Sequence, residues 1–217
     1  SMKTAVEMAS PNILFIASPN NPTGNLMAPD ALAELIEAAP SSLVIVDEAY
    51  VPYAERNQLE LYRRYPNVAI LRTLSKVGFA SLRVGWLIAH PQLVVELDKM
   101  RLPYNLPTVS QRLATVAVTE LRGELESVIG AVRAERARLG EALGRLPGVS
   151  VAPSQANFLW VKLPMDAGKA FDGLCARGVL VRSFHGKGGR LANYLRVTVG
   201  SAAENDRFLQ ALSEVLG

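Results

Sequence analysis

VAILRTLSKVGFASLRVG, Val68–Gly85, is the stretch whose reading decides the fold. Its first residues, Val68-Ala69-Ile70-Leu71, form a short apolar run of the kind that makes a buried strand, and the run breaks at once into hydroxyls, a lysine, glycines and an arginine. Lys76 therefore lies just past a strand end. Open parallel α/β sheets bind ligands outside the carboxyl ends of their strands, so a lysine placed there faces a site. Thr73, Ser75 and Arg83 stand beside it with hydroxyl and guanidinium donors suited to a phosphate dianion. Taken alone, the stretch equally fits a surface lysine in a polar loop.

Two other stretches repeat the pattern. Ile13-Leu14-Phe15-Ile16 leads into Ser18-Pro19-Asn20-Asn21-Pro22-Thr23-Gly24, and Leu43-Val44-Ile45-Val46 leads into Asp47-Glu48-Ala49-Tyr50. Three apolar runs, spaced like strands with helical connections, deliver polar side chains to one edge of one sheet. A lysine amine, a carboxylate, an amide, a phenol and an anion-binding cluster converge there.

The ordered set SPNNPTG, VDEAY, TLSK and LRVG resembles the pyridoxal-phosphate-dependent aminotransferases of the aspartate aminotransferase fold. The segments TLSK, ANF (Ala156–Phe158), VLVR (Val179–Arg182) and LRVTVG (Leu195–Gly200) place the resemblance closest to the histidinol-phosphate aminotransferase branch. It implies an α/β fold: part of a large cofactor-binding domain over residues 1–105, with a mostly parallel sheet and one antiparallel strand, then a long linking helix and a smaller α+β domain over 106–217. It also implies a C-terminal portion of a longer protein, because SPNNPTG comes much later in members of the family. The sheet is then expected to carry an unpaired edge and exposed apolar faces, and the chain to self-associate.

Composition bounds the rest. With 217 residues, 49% of them hydrophobic, the chain can build a sizeable core as one large or two small domains. A net charge of +3 carried by scattered Lys and Arg gives no reason to expect nucleic acid or a membrane surface as partner. Lone Cys175 excludes an internal disulfide and reads as a small buried hydrophobe. Neither a run of about eighteen apolar residues nor a basic-then-apolar leader is present, and the expectation is a cytoplasmic protein. No metal-ligand spacing stands out.

Taken in order, Pro29-Asp30 with Leu32, Leu35 and Ile36 predicts a short amphipathic helix, and Val84–Ala89 a further strand, antiparallel by the resemblance. From Pro91 to about Arg145 the sequence turns helical, with Leu125, Val128, Ile129, Val132, Leu139, Leu143 and Leu146 forming one apolar stripe read as packing. Strands follow near Val149–Ala152, Phe158–Leu163, Val179–Ser183 and Tyr194–Val199, and helices near Ala167–Arg177 and Ala203–Leu216.

The resemblance also assigns roles. Lys76 is the covalent anchor of pyridoxal 5'-phosphate and the general base, Asp47 pairs with the pyridine nitrogen, and Asn21 and Tyr50 bond the ring's phenolic oxygen. Thr73, Ser75 and Arg83 hold the cofactor phosphate. Arg196 grips the substrate carboxylate, Asn157 lies near the substrate, and Arg182 binds a substrate phosphate, giving two separate anion sites. The implied reaction is amino transfer between L-histidinol phosphate and 2-oxoglutarate in a homodimer whose partners are small amino and oxo acids. Threonine-phosphate decarboxylation, general amino transfer, a non-catalytic ligand-sensing domain and an inactive fragment are the alternatives. Each residue has a plainer reading: Asp47 as a helix cap, Asn21–Gly24 as a β-turn, Tyr50 as a core-edge aromatic, Arg182 as an edge-strand arginine. Glu48, His90 and His185 are given no role in the chemistry.

Overall fold

A short helix that the sequence does not announce opens the chain: Ser1 Oγ accepts from the Thr4 amide and caps α1 (Met2–Ala9). The structure, a computed structural model, describes all 217 residues. They form two compact units, Ser1–Asn20 with Leu26–Glu126, and Asn21–Asn25 with Ser127–Gly217.

In the first unit, β1 (Ile13–Ala17) is followed by α2 (Pro29–Glu37), β2 (Leu43–Asp47), α3 (Leu59–Arg64), β3 (Val68–Thr73) and β4 (Gly85–Ile88). Pro29 at the first helical position and Asp30 in the first turn start α2, while Glu60 early and Arg63 and Arg64 late in α3 suit its dipole. The strands β1, β2 and β3 are parallel, with Ile16 opposite Val46 and Val46 opposite Ile70. Strand β4 runs antiparallel to β3, as the resemblance implied. Period-two alternation turns Ile16, Val44, Val46, Val68 and Ile70 to one face, where they pack with Leu32, Leu35 and Ile36 of α2, Leu61 of α3 and Val6 of α1. Each such side chain contributes about 1.5–3 kcal/mol by leaving water. On the other face of edge strand β1, Ile13 and Phe15 remain 51% and 65% exposed.

The long helical region resolves into α4 (Pro91–Met100), α5 (Thr108–Thr119) and α6 (Arg122–Gly144). Its apolar stripe is corrected in part: Leu139 and Leu143 are fully buried, whereas Val128 is 58% exposed. The cause is that α6 is shared, its first turn grouping with the first unit and the rest with the second, and only its C-terminal half reaches the second unit's core. The two compact units divide within α6. Helix α5 stays with the first unit, where Ala114 and Ala117 are buried and the helix meets the 3₁₀ turn Ala80–Leu82.

The second unit adds β5 (Ser150–Ala152), β6 (Phe158–Lys162), α7 (Ala167–Ala176), β7 (Arg182–Ser183), β8 (Tyr194–Thr198) and α8 (Ala202–Leu216). Its sheet is antiparallel in the order β5-β6-β8-β7. Leu159, Val161, Leu195 and Val197 pack against Leu139, Leu143, Leu174, Phe208 and Leu212. Away from that core Trp160 stacks on Tyr194 (centroids 4.8 Å, 13°) and meets Phe184 edge-on. Asp166 caps α7 by accepting from the Gly168 and Lys169 amides, and Ser201 with Glu204 forms a capping box on α8.

Two further expectations are corrected here. Strand β7 is shorter than Val179–Ser183, because the Val179 amide turns back to the Leu174 carbonyl (3.0 Å) at the end of α7, and Leu180 is 81% exposed. Cys175, in the last turn of α7, is exposed rather than buried. No helix is long and apolar enough to cross a membrane.

Candidate active site

Strands β2 and β3 end side by side, with Asp47 opposite Leu71, so the loops leaving the two strands emerge at one edge of the sheet. Asp47 Oδ1 accepts from the Ala49 amide (2.9 Å), an Asx turn that swings the chain out of the sheet and leaves the other carboxylate oxygen for a cation. The turn delivers Tyr50, buried, with Lys76 Nζ 5.5 Å from its ring centroid. Tyr53 holds the lysine's backbone, its hydroxyl donating to the Lys76 carbonyl at 2.8 Å.

The loop carrying Lys76 is closed by Thr73. Its Oγ1 accepts from the Ser75 amide and donates to the Val84 carbonyl, both at 3.0 Å, while the Leu74 amide donates to the same carbonyl at 3.1 Å. The single hydroxyl proton of Thr73 is thereby used within the loop, which orders the turn around Lys76. Arg83, exposed, sits in the left-handed region at φ 57°, a conformation that costs an L-residue about 1–2 kcal/mol. Such strain is retained where surrounding structure imposes it.

Glu48, to which the sequence assigns no role, is buried at the centre of this edge. Its Oε1 accepts from the Gln58 amide (2.5 Å) and its Oε2 from Arg72 Nε (2.8 Å). Arg72 Nη2 lies 2.7 Å from the same oxygen as a charge contact, at an angle that makes no hydrogen bond. The available signal was positional: Glu48 follows one strand, Arg72 lies near the end of the next, and the Glu48 amide donates to the Leu71 carbonyl.

The remaining candidates belong to the second unit. Asn21, in the strap Asn21–Asn25, accepts at Oδ1 from Arg196 Nη1 (2.8 Å), and the Arg196 guanidinium lies 5.2 Å from the Phe158 ring centroid. Arg196 Nε is buried without a partner. Arg182 and Arg196 are direct cross-strand partners on β7 and β8, so they stand on one face of one sheet rather than in two separate places. Asn157 joins through its backbone carbonyl, which accepts from the Val199 amide at 2.9 Å. The cavity beside these strands, about 840 Å³, is lined by Arg182, Ser183, His185, Arg196 and Thr198 on one side and by Asn205, Arg207 and Phe208 of α8 on another.

The family model for aminotransferase class I and II matches residues 1–212. The chain belongs to this family. A histidinol-phosphate aminotransferase 2 of Nitrosococcus oceani is 43% identical over 98% of the chain and 59% of its own length, and a histidinol-phosphate aminotransferase of Methylibium petroleiphilum is 41% identical over 58% of its length. The chain spans about 60% of the length of such curated aminotransferase relatives. Among solved structures, the histidinol-phosphate aminotransferase of Sinorhizobium meliloti in complex with pyridoxal-5'-phosphate superposes with a TM-score of 0.87 at 27% identity, covering 99% of this chain and 60% of that one. A decarboxylase from Sulfurospirillum multivorans gives 0.89 at 25%, over 100% and 65%.

Membership of this aminotransferase family implies pyridoxal phosphate, and the donor set of the first unit has the chemistry the cofactor needs. Lys76 offers an amine to an aldehyde, Asp47 a carboxylate oxygen to a ring cation, Tyr50 a phenol, and Ser75 and Arg83 donors to a phosphate.

Proposed function

We propose that the full-length protein transfers an amino group between L-histidinol phosphate and 2-oxoglutarate, using pyridoxal phosphate held on Lys76. The observation that carries this reading is Lys76 at the end of β3, 5.5 Å from the ring of Tyr50, with Asp47 at the end of the neighbouring strand. Relatives about 40% identical that are named histidinol-phosphate aminotransferases favour the substrate. Bound cofactor supplies an electron sink conjugated to the amino carbon. Lys76 would hold the cofactor through its side-chain nitrogen, and its free amine would serve as the base that moves a proton off and onto the amino carbon. The Asp47 carboxylate stabilises positive charge on the ring nitrogen, because an opposite charge at short range favours the cation. Thr73 keeps the lysine loop in shape, and Arg83 is the charged anchor for the cofactor phosphate.

Arg182 and Arg196 bind the substrate's anionic end. Two like charges directly opposite across a strand pair repel, and a phosphate dianion between them removes that repulsion while accepting from both. Both arginines thus serve the phosphate of the amino donor, and Arg196 alone holds a carboxylate of the oxo acid. A homodimer in the cytoplasm goes with this reading.

The test is the full-length protein assayed with 2-oxoglutarate and either L-histidinol phosphate or unphosphorylated histidinol. The phosphorylated amine should be preferred in kcat/KM by about a hundredfold, two charge-assisted bonds' worth. Equal values would overturn the substrate. The likeness to a decarboxylase, TM-score 0.89 at 25% identity, supports a second reading, in which an amino acid substrate loses carbon dioxide. Carbon dioxide released from L-threonine phosphate without amino transfer would establish it instead.

A further inference from the structure

The strap Asn21–Asn25 groups with the second unit although the residues on either side of it, Asn20 and Leu26, group with the first. Its Asn21 end holds Arg196. Its other end is fastened by Gly24, which is buried and adopts φ 77°, and whose carbonyl accepts from the Gln155 amide at 2.7 Å. A Cβ at Gly24 would fall on Ser154 Oγ and lie 2.9 Å from Ser154 Cβ and 3.3 Å from its Cα. Rotating the serine moves its Oγ but not its Cβ, so the space is not cleared.

Nor is Ser154 able to yield. Its hydroxyl donates to the Phe158 carbonyl (2.6 Å) and accepts from the Ala156 amide (3.1 Å). The Ala156 carbonyl in turn accepts from Arg136 Nη1 (2.8 Å), a half-buried guanidinium whose pKa is lowered first by burial and then by Arg133. Between them the strap's Thr23 hydroxyl bonds the Asn25 side chain. Gly24 therefore docks the strap onto a rigid turn, and the same turn leads into Phe158, over which Arg196 lies.

We propose that Gly24 and Ser154 form a clasp that sets the orientation of the Arg196 guanidinium, making Gly24 a positioning residue for the anionic end of the substrate. With Nη1 spent on Asn21 Oδ1 and the guanidinium carbon over Phe158, the rotation of the fork is fixed before an anion arrives. Moving the strap away from Ser154, as a methyl group at this position demands, breaks that alignment. The inference rests on the aminotransferase reading, in which Arg196 meets a substrate anion.

The test uses full-length protein loaded with cofactor and succinate, an unreactive dicarboxylate, titrated by calorimetry. Gly24→Ala should weaken succinate about tenfold, the loss of one aligned charge-assisted bond, while cofactor content stays close to wild type and melting temperature falls, because an L-residue at φ 77° is strained. Combining it with Asn21→Ala should weaken binding no further than the larger single effect, because both act through one contact. Asn21→Ala alone, which adds no backbone strain, should weaken succinate to a similar extent, separating lost alignment from lost stability. Unchanged succinate binding in either single variant, or multiplicative losses in the double variant, would overturn the clasp. Wild-type protein that transfers no amino group would instead overturn the reading on which it rests.

Discussion

Glu48 and Arg72 form an ion pair at the carboxyl edge of the first unit's sheet, with the glutamate side chain fully buried and the arginine 20% exposed. The pair also ties down the Gln58 amide, and Gln58 Nε2 reaches the Met27 carbonyl at 3.2 Å. It therefore braces the strand ends that present Asp47 and Lys76. Glu48→Ala leaves a mostly buried guanidinium and an amide without their acceptor, and should cost about 3 kcal/mol in urea unfolding. A loss below about 1 kcal/mol would mean the pair behaves like an exposed one.

The arginine pair on β7 and β8 predicts selectivity. Arg182 is exposed, whereas Arg196 is held by Asn21 and Phe158, so Arg182→Ala removes one arm of the anion site and leaves the other aligned. Steady-state kinetics of the variant should show a loss in kcat/KM for histidinol phosphate at least about tenfold greater than for glutamate. Equal losses would mean that Arg182 does not distinguish the phosphate.

The fold was legible where one physical signal dominated. Apolar runs ending in polar clusters located β1, β2 and β3 and put Asp47 and Lys76 at neighbouring strand ends, as the pairing of Asp47 with Leu71 bears out. The stripe on α6 misled because periodicity shows that a face is apolar without showing what lies against it, and Val128 meets nothing that buries it. Glu48 escaped notice because its partner is distant in sequence and is brought near only by strand register. The clasp at Gly24 was invisible for a similar reason: a glycine in NPTG reads as a turn, and the clash that excludes a side chain comes from Ser154, far along the chain.

Three carboxylates in the second unit predict its acid limb. Glu135 is held below its usual range by Arg138 and then Asn205, Glu204 by the Ser201 amide and hydroxyl, and Glu214 by Arg177 and then Gln210. A carboxylate whose folded pKa is depressed contributes stability that is present above the ordinary value of 4.5 and disappears as pH falls through the lower folded values. Melting temperature should therefore drop between about pH 5 and about pH 3, and Glu135→Gln should flatten that drop. A variant curve parallel to wild type would contradict the assignment.

The 217-residue chain by itself should self-associate. Ile13 and Phe15 on edge strand β1, and Val95, Met100, Leu102 and Tyr104 in and after α4, are each more than half exposed. Light scattering coupled to gel filtration should give a mass well above 23.4 kDa. A monodisperse monomer at about 1 mg/ml would show that these surfaces are not adhesive.

Lys76 is the residue on which the functional account stands, and it can be read directly. Full-length protein saturated with pyridoxal phosphate is reduced with borohydride, digested and mapped by mass spectrometry. The account predicts the cofactor mass on the peptide containing Lys76, and Lys76→Ala protein should carry no label and lose amino transfer by several orders of magnitude. Label on another lysine, or activity that survives Lys76→Ala, would contradict it.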